Sequence, residues 1–222
     1  MKKIRIAIDG PAGAGKSSVS RLVADKLGYD YIDTGAIYRC LALLIENATE
    51  LENLSAIREI LKDFRVSFKI VEGINRVYLN DKDVTGEIRT EKISMLASSV
   101  SAIPFVREAL LEMQKKYARN GGVVMEGRDI GTVIMPDAEL KIFLTASPEK
   151  RAGRRLLDLK AKGAEIPFEK LVEEIKKRDE QDANRKVAPL KKADDAILVD
   201  NTNIDLVKTA DIIVSYVKDR EN

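Results

Sequence analysis

The stretch that decides the fold is residues 4–17, which read IRIAIDGPAGAGKS. Ile4, Ile6 and Ile8 alternate with other residues as in a buried strand, and the G-x-x-x-x-G-K-[ST] spacing that follows predicts a phosphate-binding loop opening a helix. A plain glycine-rich turn is the alternative, but it explains neither the motif nor its flanks. We therefore predict an ATP-binding loop made of Gly10, Pro11, Ala12, Gly13, Ala14, Gly15, Lys16, Ser17 and Ser18.

The backbone and two side chains of this loop predict its chemistry. Glycines let successive N–H groups surround a phosphate, and the next helix adds the positive end of its dipole. Lys16 is placed to reach the β- and γ-phosphates, and the Ser17 hydroxyl is placed to ligate Mg²⁺. Asp33 or Glu126 is a further candidate for holding the same ion through water.

The composition narrows the possible function classes. The chain has 222 residues, a net charge of +2, one cysteine and no histidine. The lack of histidine excludes Ser-His-Asp sites, Cys-His sites and histidine-ligated zinc, and the single Cys40 excludes an intramolecular disulfide. With no signal-peptide pattern, no stretch that could cross a bilayer and little net charge, we expect a cytoplasmic protein that binds neither membrane nor nucleic acid.

Strand and helix patterns alternate along most of the chain. Apolar strand patterns lie at 3–9, 29–32, 123–125, 140–144 and 197–199. Helical patterns lie at 16–27, 35–47, 54–63, 89–101, 104–119, 148–162, 167–184 and 203–218. This alternation predicts an α/β fold, a doubly wound parallel sheet flanked by helices.

One segment departs from this alternation. Residues 65–86 alternate with period two around turns at 73–75 and 80–83, which predicts a small antiparallel β insertion. We predict a single domain over residues 1–222, with a helical lid over 148–185. Its core then consists of residues 1–64, 87–147 and 186–222.

Polar motifs follow two of the predicted strands, where the ligands of doubly wound sheets gather. The first runs from Asp33 to Arg39 and reads DTGAIYR, and the second runs from Glu126 and reads EGRDIGT. Arg39 is a candidate phosphate clamp, or else a solvated arginine at a capped helix start. Arg128 and Asp129 offer a second clamp and a hydrogen-bond acceptor, with a purely structural turn as the alternative.

Two predicted helices carry charged residues on one face. Arg151, Arg154 and Arg155 are spaced i, i+3, i+4, as a lid closing on polyphosphate requires, although a solvated helix has the same pattern. Arg178, Asp182 and Arg185 are spaced i, i+4, i+7. An exposed set of this kind contributes about 0.3–0.5 kcal/mol per pair, whereas one facing a ligand orients an arginine against it.

Taken together, the motifs resemble the bacterial cytidylate kinases, a family of nucleoside-monophosphate kinases. The resemblance covers residues 4–215 and rests on segments that occur in this order: IDGPAGAGKS at 8–17, YIDTGAIYR at 31–39, VREAL at 106–110, EGRDIGT at 126–132, and RD at 178–179 followed by NRKVAPL at 184–190. It implies transfer of the γ-phosphoryl group of ATP to CMP or dCMP in the presence of Mg²⁺, within pyrimidine nucleotide metabolism. It also implies a mobile lid and an enlarged monophosphate-binding insertion. We expect a monomer.

The resemblance also implies roles for individual residues. The acceptor phosphate is held by Arg39, Arg128 and Arg185. The cytosine is read by Ser98, Arg107 and Asp129, with Ser99 and Ser101 as alternatives to Ser98. Thr34 and Tyr38 line the acceptor site, and Arg178 and Asp182 contact the sugar. The catalytic set is Lys16, Arg128, Arg151, Arg154 and Arg155.

Hydrogen bonding supports the assignment of the base. Asp129 can accept from the cytosine N4 amino group, while Arg107 and Ser98 can donate to its O2 or N3. Uracil reverses the donor and acceptor pattern on that edge, so this set disfavours it. Glu126 departs from the pattern, because aspartate is expected there, and its extra methylene leaves its role at the metal open.

Two other readings stay open on the sequence alone. A kinase for UMP or for a small metabolite would differ only in the residues that read the acceptor. A P-loop switch or regulatory ATPase is the alternative from another class. Its guanine-specific form needs an N-K-x-D motif, and the segment NTNID at 201–205 lacks the lysine.

Overall fold

A computed structural model describes residues 3–161, 163 and 166–221 of the chain. Residues 1, 2, 162, 164, 165 and 222, which the predicted domain and lid include, lie outside the described residues. Contacts divide the chain into two compact units. Unit 1 comprises Met1–Tyr31 and Tyr117–Asn222, and unit 2 comprises Ile32–Lys116.

A five-stranded sheet forms the centre of the fold. In chain order its strands are β1 (Arg5–Asp9), β2 (Asp30–Asp33), β6 (Val123–Gly127), β7 (Leu140–Thr145) and β8 (Ile197–Asp200). Across the sheet they lie in the order β2-β6-β1-β7-β8. The strand β1 pairs in parallel with both β6 and β7, and β7 pairs in parallel with β8. The predicted doubly wound parallel sheet is thereby confirmed.

Eight α-helices occupy the described residues. They are α1 (Lys16–Leu27), α2 (Thr34–Ala48), α3 (Leu54–Lys62), α4 (Glu91–Val100), α5 (Pro104–Ala118), α6 (Pro148–Ala161), α7 (Phe168–Ala183) and α8 (Leu206–Glu221). A 3₁₀ turn at Glu87–Arg89 and a π-helical turn at Ile130–Ile134 complete the helical elements. The last helix begins three residues later than the pattern at 203 predicts, because the Asp205 carboxylate accepts the Lys208 N–H at 2.8 Å and fixes its start.

The core of unit 1 follows from the apolar strand patterns. Ile4, Ile6 and Ile8 are each at most 2% exposed and pack with Val23 of α1 and Ile213 of α8. A smaller cluster of Ala152, Leu171 and Ile175 joins α6 to α7. Burial of these apolar stripes against one another fixes the helices of unit 1 on its strands.

Unit 2 contains the predicted β insertion as a separate three-stranded antiparallel sheet. Its strands are β3 (Val66–Val71), β4 (Ile74–Leu79) and β5 (Lys82–Asp83). The second turn is shorter than the predicted 80–83, since only Asn80 and Asp81 adopt left-handed φ angles, 46° and 68°. A two-residue turn of this kind matches the twist of paired strands, so residues 82 and 83 pair with β4.

Among the residues that the structure describes, no single helix is long and apolar enough to cross a membrane. The pair Glu91–Val100 and Pro104–Ala118, bent by 101°, meets the length and composition test only when the two helices are taken together.

Candidate active site

The loop between β1 and α1 has the backbone that its glycines predict. Gly10 has a φ of 151°, and a Cβ atom built on it would lie 1.9 Å from the Leu144 carbonyl oxygen, so any side chain is excluded there. Gly13 and Gly15 have φ angles of 75° and 87°. Helix α1 then begins at Lys16 with no side-chain cap on its first N–H groups.

The carbonyl groups of this loop are held by long side chains of unit 1. Lys16 Nζ donates to the carbonyl oxygens of Gly10 and Pro11, both at 2.8 Å. The Ala12 carbonyl accepts from Arg151 Nη1 at 2.9 Å. The Ala14 carbonyl accepts from two donors at 3.0 Å, Arg154 Nη1 and Asn201 Nδ2. Because a trans peptide directs its N–H away from its C=O, the N–H groups of residues 12, 13 and 15 point in the opposite direction. The loop is therefore built to bind an anion.

The ammonium group of Lys16 lies among both cations and carboxylates. The side chain is buried, and this burial, with the nearby Arg128 guanidinium, lowers the pKa of Lys16 to about 7. Glu126, Asp9 and Asp182 act in the opposite direction. A bound polyphosphate would add negative charge here, so it would favour the charged lysine.

Asp9 connects the phosphate loop to the motif that follows β6. Its two carboxylate oxygens accept the N–H groups of Ile130 at 2.8 Å and Gly131 at 2.7 Å. Burial raises the pKa of Asp9 to about 6, and the two hydrogen bonds oppose that rise. Asp9 thus fixes the π-helical turn that begins directly after Arg128 and Asp129, of which Asp129 is buried.

The carboxylate of Glu126 lies at the end of β6, where Glu126 is paired in register with Ile8 of β1. It is 3% exposed and accepts a hydrogen bond from the Tyr31 hydroxyl. The longer side chain at this position therefore has a partner in this chain, and it remains near Lys16.

Helix α7 supplies Asp182 and Arg178 to the same region, and Arg185 follows directly after the helix ends at Ala183. Asp182 accepts from Arg128 Nε at 2.8 Å, and Arg185 Nη2 lies 3.8 Å from its other oxygen. Burial raises the pKa of Asp182, but Arg128, followed by Arg185 and Arg178, outweighs burial, and the net pKa lies below its usual value. The predicted Arg128, Arg178, Asp182 and Arg185 thus form one electrostatic cluster.

The three predicted lid arginines on α6 have different surroundings. Arg151 is 3% exposed and pairs with Asp179 of α7 at 2.5 Å. Arg154 donates to the phosphate loop and to the Asn201 side chain at 3.2 Å. Arg155, whose side chain is 30% exposed, lies 3.8 Å from the Glu174 carboxylate of α7.

The acceptor motif of unit 2 starts at the N-terminus of α2. Asp33 Oδ1 accepts the Ala36 N–H at 3.1 Å, and Asp33 Oδ2 accepts from Arg39 Nη2 at 2.6 Å. Burial raises the pKa of Asp33, but Arg39 and Arg89 outweigh it and the net pKa falls below its usual value. The Asp33 carboxylate therefore fixes the orientation of the Arg39 guanidinium. Thr34, the residue after Asp33, is buried.

The predicted cytosine readers of unit 2 lie near the end of α4 and the start of α5. Arg107 Nη1 donates to the Ser101 carbonyl at 3.2 Å, and its guanidinium lies 5.5 Å from the centre of the Tyr38 ring. The Ser101 hydroxyl donates to the Ser98 carbonyl at 2.8 Å. These contacts link Tyr38, Arg107 and the turn from Ser98 to Ser101, and the reading of cytosine by these residues stays a prediction.

Three comparisons with known proteins bear on this site. Residues 6–219 match the family model for cytidylate kinase. A cytidylate kinase of Caldicellulosiruptor saccharolyticus is 53% identical, over 92% of this chain and 91% of its own length. One of Carboxydothermus hydrogenoformans is 52% identical, over 90% of this chain and 91% of its own length.

The chain belongs to the cytidylate kinase family. A solved shikimate kinase from Bacteroides thetaiotaomicron shares its fold, with a TM-score of 0.50, 14% sequence identity and coverage of 97% of this chain and 98% of that chain. The family resemblance inferred from the motifs is thereby confirmed.

The protein also has a cavity that the sequence motifs do not indicate. Its volume is about 590 Å³, and it opens beside the start of α1 in unit 1. It is lined in part by Lys150 and by the loop between β8 and α8, including Asn201, Asn203 and Asp205. Neither Lys150 nor the loop between β8 and α8 belongs to a recognisable motif, so only their position beside Gly15 and Arg154 identifies them as part of the site.

The acidic side chains of the described residues offer few places for a metal ion. Within residues 3–161, 163 and 166–221, no group of three or more Asp, Glu, Cys or His side chains could hold a metal ion alone. Both oxygens of Asp33 already serve Ala36 and Arg39. Glu126 and Ser17, on elements flanking the loop, therefore fit an ion that retains water and phosphate ligands better than Asp33 does.

Proposed function

We propose that this protein transfers the γ-phosphoryl group of ATP to CMP or dCMP, giving ADP and CDP or dCDP. The observation that carries the proposal is the membership of residues 6–219 in the cytidylate kinase family. It is joined to a phosphate loop in which the carbonyls of Gly10, Pro11, Ala12 and Ala14 accept hydrogen bonds from protein side chains. The identity of about half of all residues with named cytidylate kinases supports the same acceptor.

On the donor side, the phosphate loop binds the triphosphate through its N–H groups and through Lys16. The cavity beside Gly15 and Asn201 accommodates the nucleoside of ATP. Ser17 would hold Mg²⁺, with Glu126 acting through water, and the ion would neutralise charge on the β- and γ-phosphates. Lys16 leaves the loop carbonyls for the phosphates, because ionic oxygens are stronger acceptors than amide oxygens.

On the acceptor side, the arginines bind phosphate and the polar groups bind the nucleoside. Arg39, Arg128 and Arg185 hold the phosphate of CMP, and each already has a carboxylate that orients its guanidinium. Arg178 and Asp182 contact the sugar. Cytosine is read by Ser98, Arg107 and Asp129, and Thr34 and Tyr38 line this part of the site.

The transfer requires no covalent intermediate on the enzyme. The acceptor phosphate is already ionised, so its oxygen attacks the γ-phosphorus in line without a general base. Lys16, Arg128, Arg154 and Arg155 stabilise charge as the bond to the leaving ADP breaks. The Arg155 side chain is 30% exposed and lies 3.8 Å from Glu174, which suits a residue that moves onto the donor phosphates when the lid closes and excludes water. The assignment of Arg151 to the same phosphates stays a prediction.

The proposal extends to the protein's surroundings. A net charge of +2 and aromatic content of 5% offer little to nucleic acid or to a membrane surface, so we infer small-molecule partners only. We infer a cytoplasmic monomer that needs Mg²⁺.

An ADP-release assay with ATP and Mg²⁺ tests the proposal. The acceptors are CMP, dCMP, UMP, AMP and GMP, with a reaction lacking any acceptor as the control. Turnover with CMP and dCMP well above that with UMP is expected, because Asp129 accepts from the cytosine amino group that uracil lacks. Release of ADP without an acceptor would indicate a regulatory ATPase, and turnover with another monophosphate alone would reassign the acceptor.

A further inference from the structure

The guanidinium of Arg151 is bound on every side by protein groups. Its Nε donates to the Ala146 carbonyl and its Nη1 to the Ala12 carbonyl, both at 2.9 Å. Nη1 and Nη2 also meet the two oxygens of Asp179 at 3.0 and 2.5 Å, in the forked geometry that is specific to arginine and a carboxylate. The side chain is 3% exposed, so it is a buried connector between α6, α7 and the phosphate loop.

The aliphatic part of the Arg151 side chain packs against the phosphate loop at Gly13. A Cβ atom built on Gly13 would lie 3.2 Å from the Arg151 Cβ atom and 3.7 Å from its Cγ atom. The loop backbone therefore crosses the arginine side chain at close range, and its Ala12 carbonyl points at the guanidinium. Because the peptide is planar, that contact also sets the direction of the Gly13 N–H.

The carboxylate of Asp179 links the loop to the acceptor-side cluster. Asp179 lies three residues before Asp182 on α7, and Asp182 accepts from Arg128 Nε at 2.8 Å. A single helical turn is stiff, so a displacement of Asp179 carries Asp182 with it. Helix α7 thus carries both Asp179, the partner of Arg151, and Asp182, the partner of Arg128.

We propose that Arg151 and Asp179 are positioning residues that align the donor loop with Arg128. The pair holds the Ala12 carbonyl and so aims the Gly13 N–H, and it fixes the turn of α7 from which Asp182 orients Arg128. The proposal rests on the kinase function above, and it assigns Arg151 a role through other groups rather than on the donor phosphates.

Replacement of Asp179 separates these two roles for Arg151. In Asp179→Asn the arginine keeps its charge and loses its carboxylate partner. If Arg151 contacts phosphate directly, this change releases it and activity is kept or increased. If Arg151 positions the loop, the change costs activity even though the arginine is intact.

The test compares Asp179→Asn, Arg151→Gln and the double variant with the natural protein. Glu149→Gln is the matched control, because Glu149 pairs with Lys176 at 3.9 Å between the same two helices, with both side chains more than half exposed. Steady-state kinetics give kcat and the KM values for ATP and CMP, and calorimetry gives the Kd of ADP without turnover. Urea unfolding reports on folding, and if Arg151→Gln does not fold, Asp179→Asn alone decides.

We expect each single variant to lose about 10²-fold in kcat/KM, the size of effect that follows misplacement of reacting groups by about 1 Å. The double variant should lose no more than either single one, since both break one unit. ADP binding should weaken in both, and Glu149→Gln should match the natural protein. Full activity in Asp179→Asn, or additive losses in the double variant, would overturn the proposal. Absence of CMP kinase activity in the natural protein would instead overturn the function, while the ADP affinities would still test the pair.

Discussion

The chain contains two strand-to-helix junctions that differ in how the first N–H groups of the helix are capped. At the β1–α1 junction, Gly15 caps the helix in a left-handed conformation and no side chain accepts its first N–H groups. At the β2–α2 junction, Asp33 caps the helix through the Ala36 N–H and also pairs with Arg39. The first junction has no side chain among the described residues that competes with a ligand for its N–H groups, whereas the second satisfies one N–H group with its own carboxylate and presents a cation.

In the proposed function, this difference suits the first junction to the donor and the second junction to the acceptor. Uncapped N–H groups and a lysine can surround a polyphosphate from several directions. A capped helix that carries an arginine oriented by a carboxylate can bind one phosphate through two parallel hydrogen bonds from the guanidinium. Five measurements would break or sharpen the comparison, from the largest expected effect to the smallest.

Removing the cation from the first junction should have the largest effect. Lys16→Met keeps the length of the side chain but no charge, and we expect kcat to fall by about 10³-fold, the scale for losing a group that stabilises transition-state charge. Calorimetric binding of CMP alone should change little, since the acceptor junction is intact. Loss of CMP binding together with kcat would mean that the two junctions do not act separately.

A side chain on the first glycine of the same junction should destabilise the fold. In Gly10→Ala the new Cβ lies 1.9 Å from the Leu144 carbonyl oxygen at a φ of 151°. We expect a loss of roughly 3 kcal/mol in the free energy of unfolding in urea. Gly153→Ala is the control, because Gly153 is helical with nothing within 4 Å of its Cβ position. It should gain about 0.5–1 kcal/mol, and a loss there would contradict the steric account.

Removing the cap from the second junction should have a smaller effect on stability, and it should also weaken the use of CMP. Asp33→Ala should cost about 1 kcal/mol of stability as a lost cap. It should also raise the KM for CMP by about tenfold, because Arg39 loses its orienting carboxylate. Asn53→Ala removes the comparable cap of α3, where Asn53 accepts the Ala56 N–H, and should leave that KM unchanged.

The pH dependence of the second junction follows from the lowered pKa of Asp33. The ionised carboxylate stabilises the folded state above the unfolded pKa, and this contribution is lost as the pH falls through the lower folded pKa. The stability difference between the natural protein and Asp33→Ala should therefore shrink below about pH 4. A difference that grows on acidification would contradict the assignment.

Proton uptake should report the smallest effect, at the first junction. With its pKa lowered to about 7, Lys16 is mostly neutral at pH 8 in the protein without nucleotide, and phosphate restores its charge. Calorimetry of ATP binding at pH 8 in two buffers of different ionisation enthalpy should show uptake of close to one proton, absent in Lys16→Met. Equal uptake in both proteins would assign the proton elsewhere.

The local features of both junctions could be predicted from sequence because they depend on neighbours in the chain. Lys16 meets carbonyls five and six residues before it, and Asp33 caps a group three residues after it. Glycine positions, strand alternation and the β insertion are likewise local signals. The spacing of Arg151, Arg154 and Arg155 is local as well and predicted the helix that carries them, whereas their different partners depend on residues distant in the chain.

The sequence by itself determined the phosphate loop, the order of strands and helices, and the family. Only the tertiary structure decided what surrounds each charge. Arg151 meets a carbonyl 139 residues away, Arg128 meets an acid 54 residues away, and Tyr31 meets Glu126 across 95 residues. No local pattern encodes such pairs, because they arise when burial of apolar faces brings distant strand ends and helices together. Burial also strengthens those pairs, since it removes the water that would otherwise screen each charge.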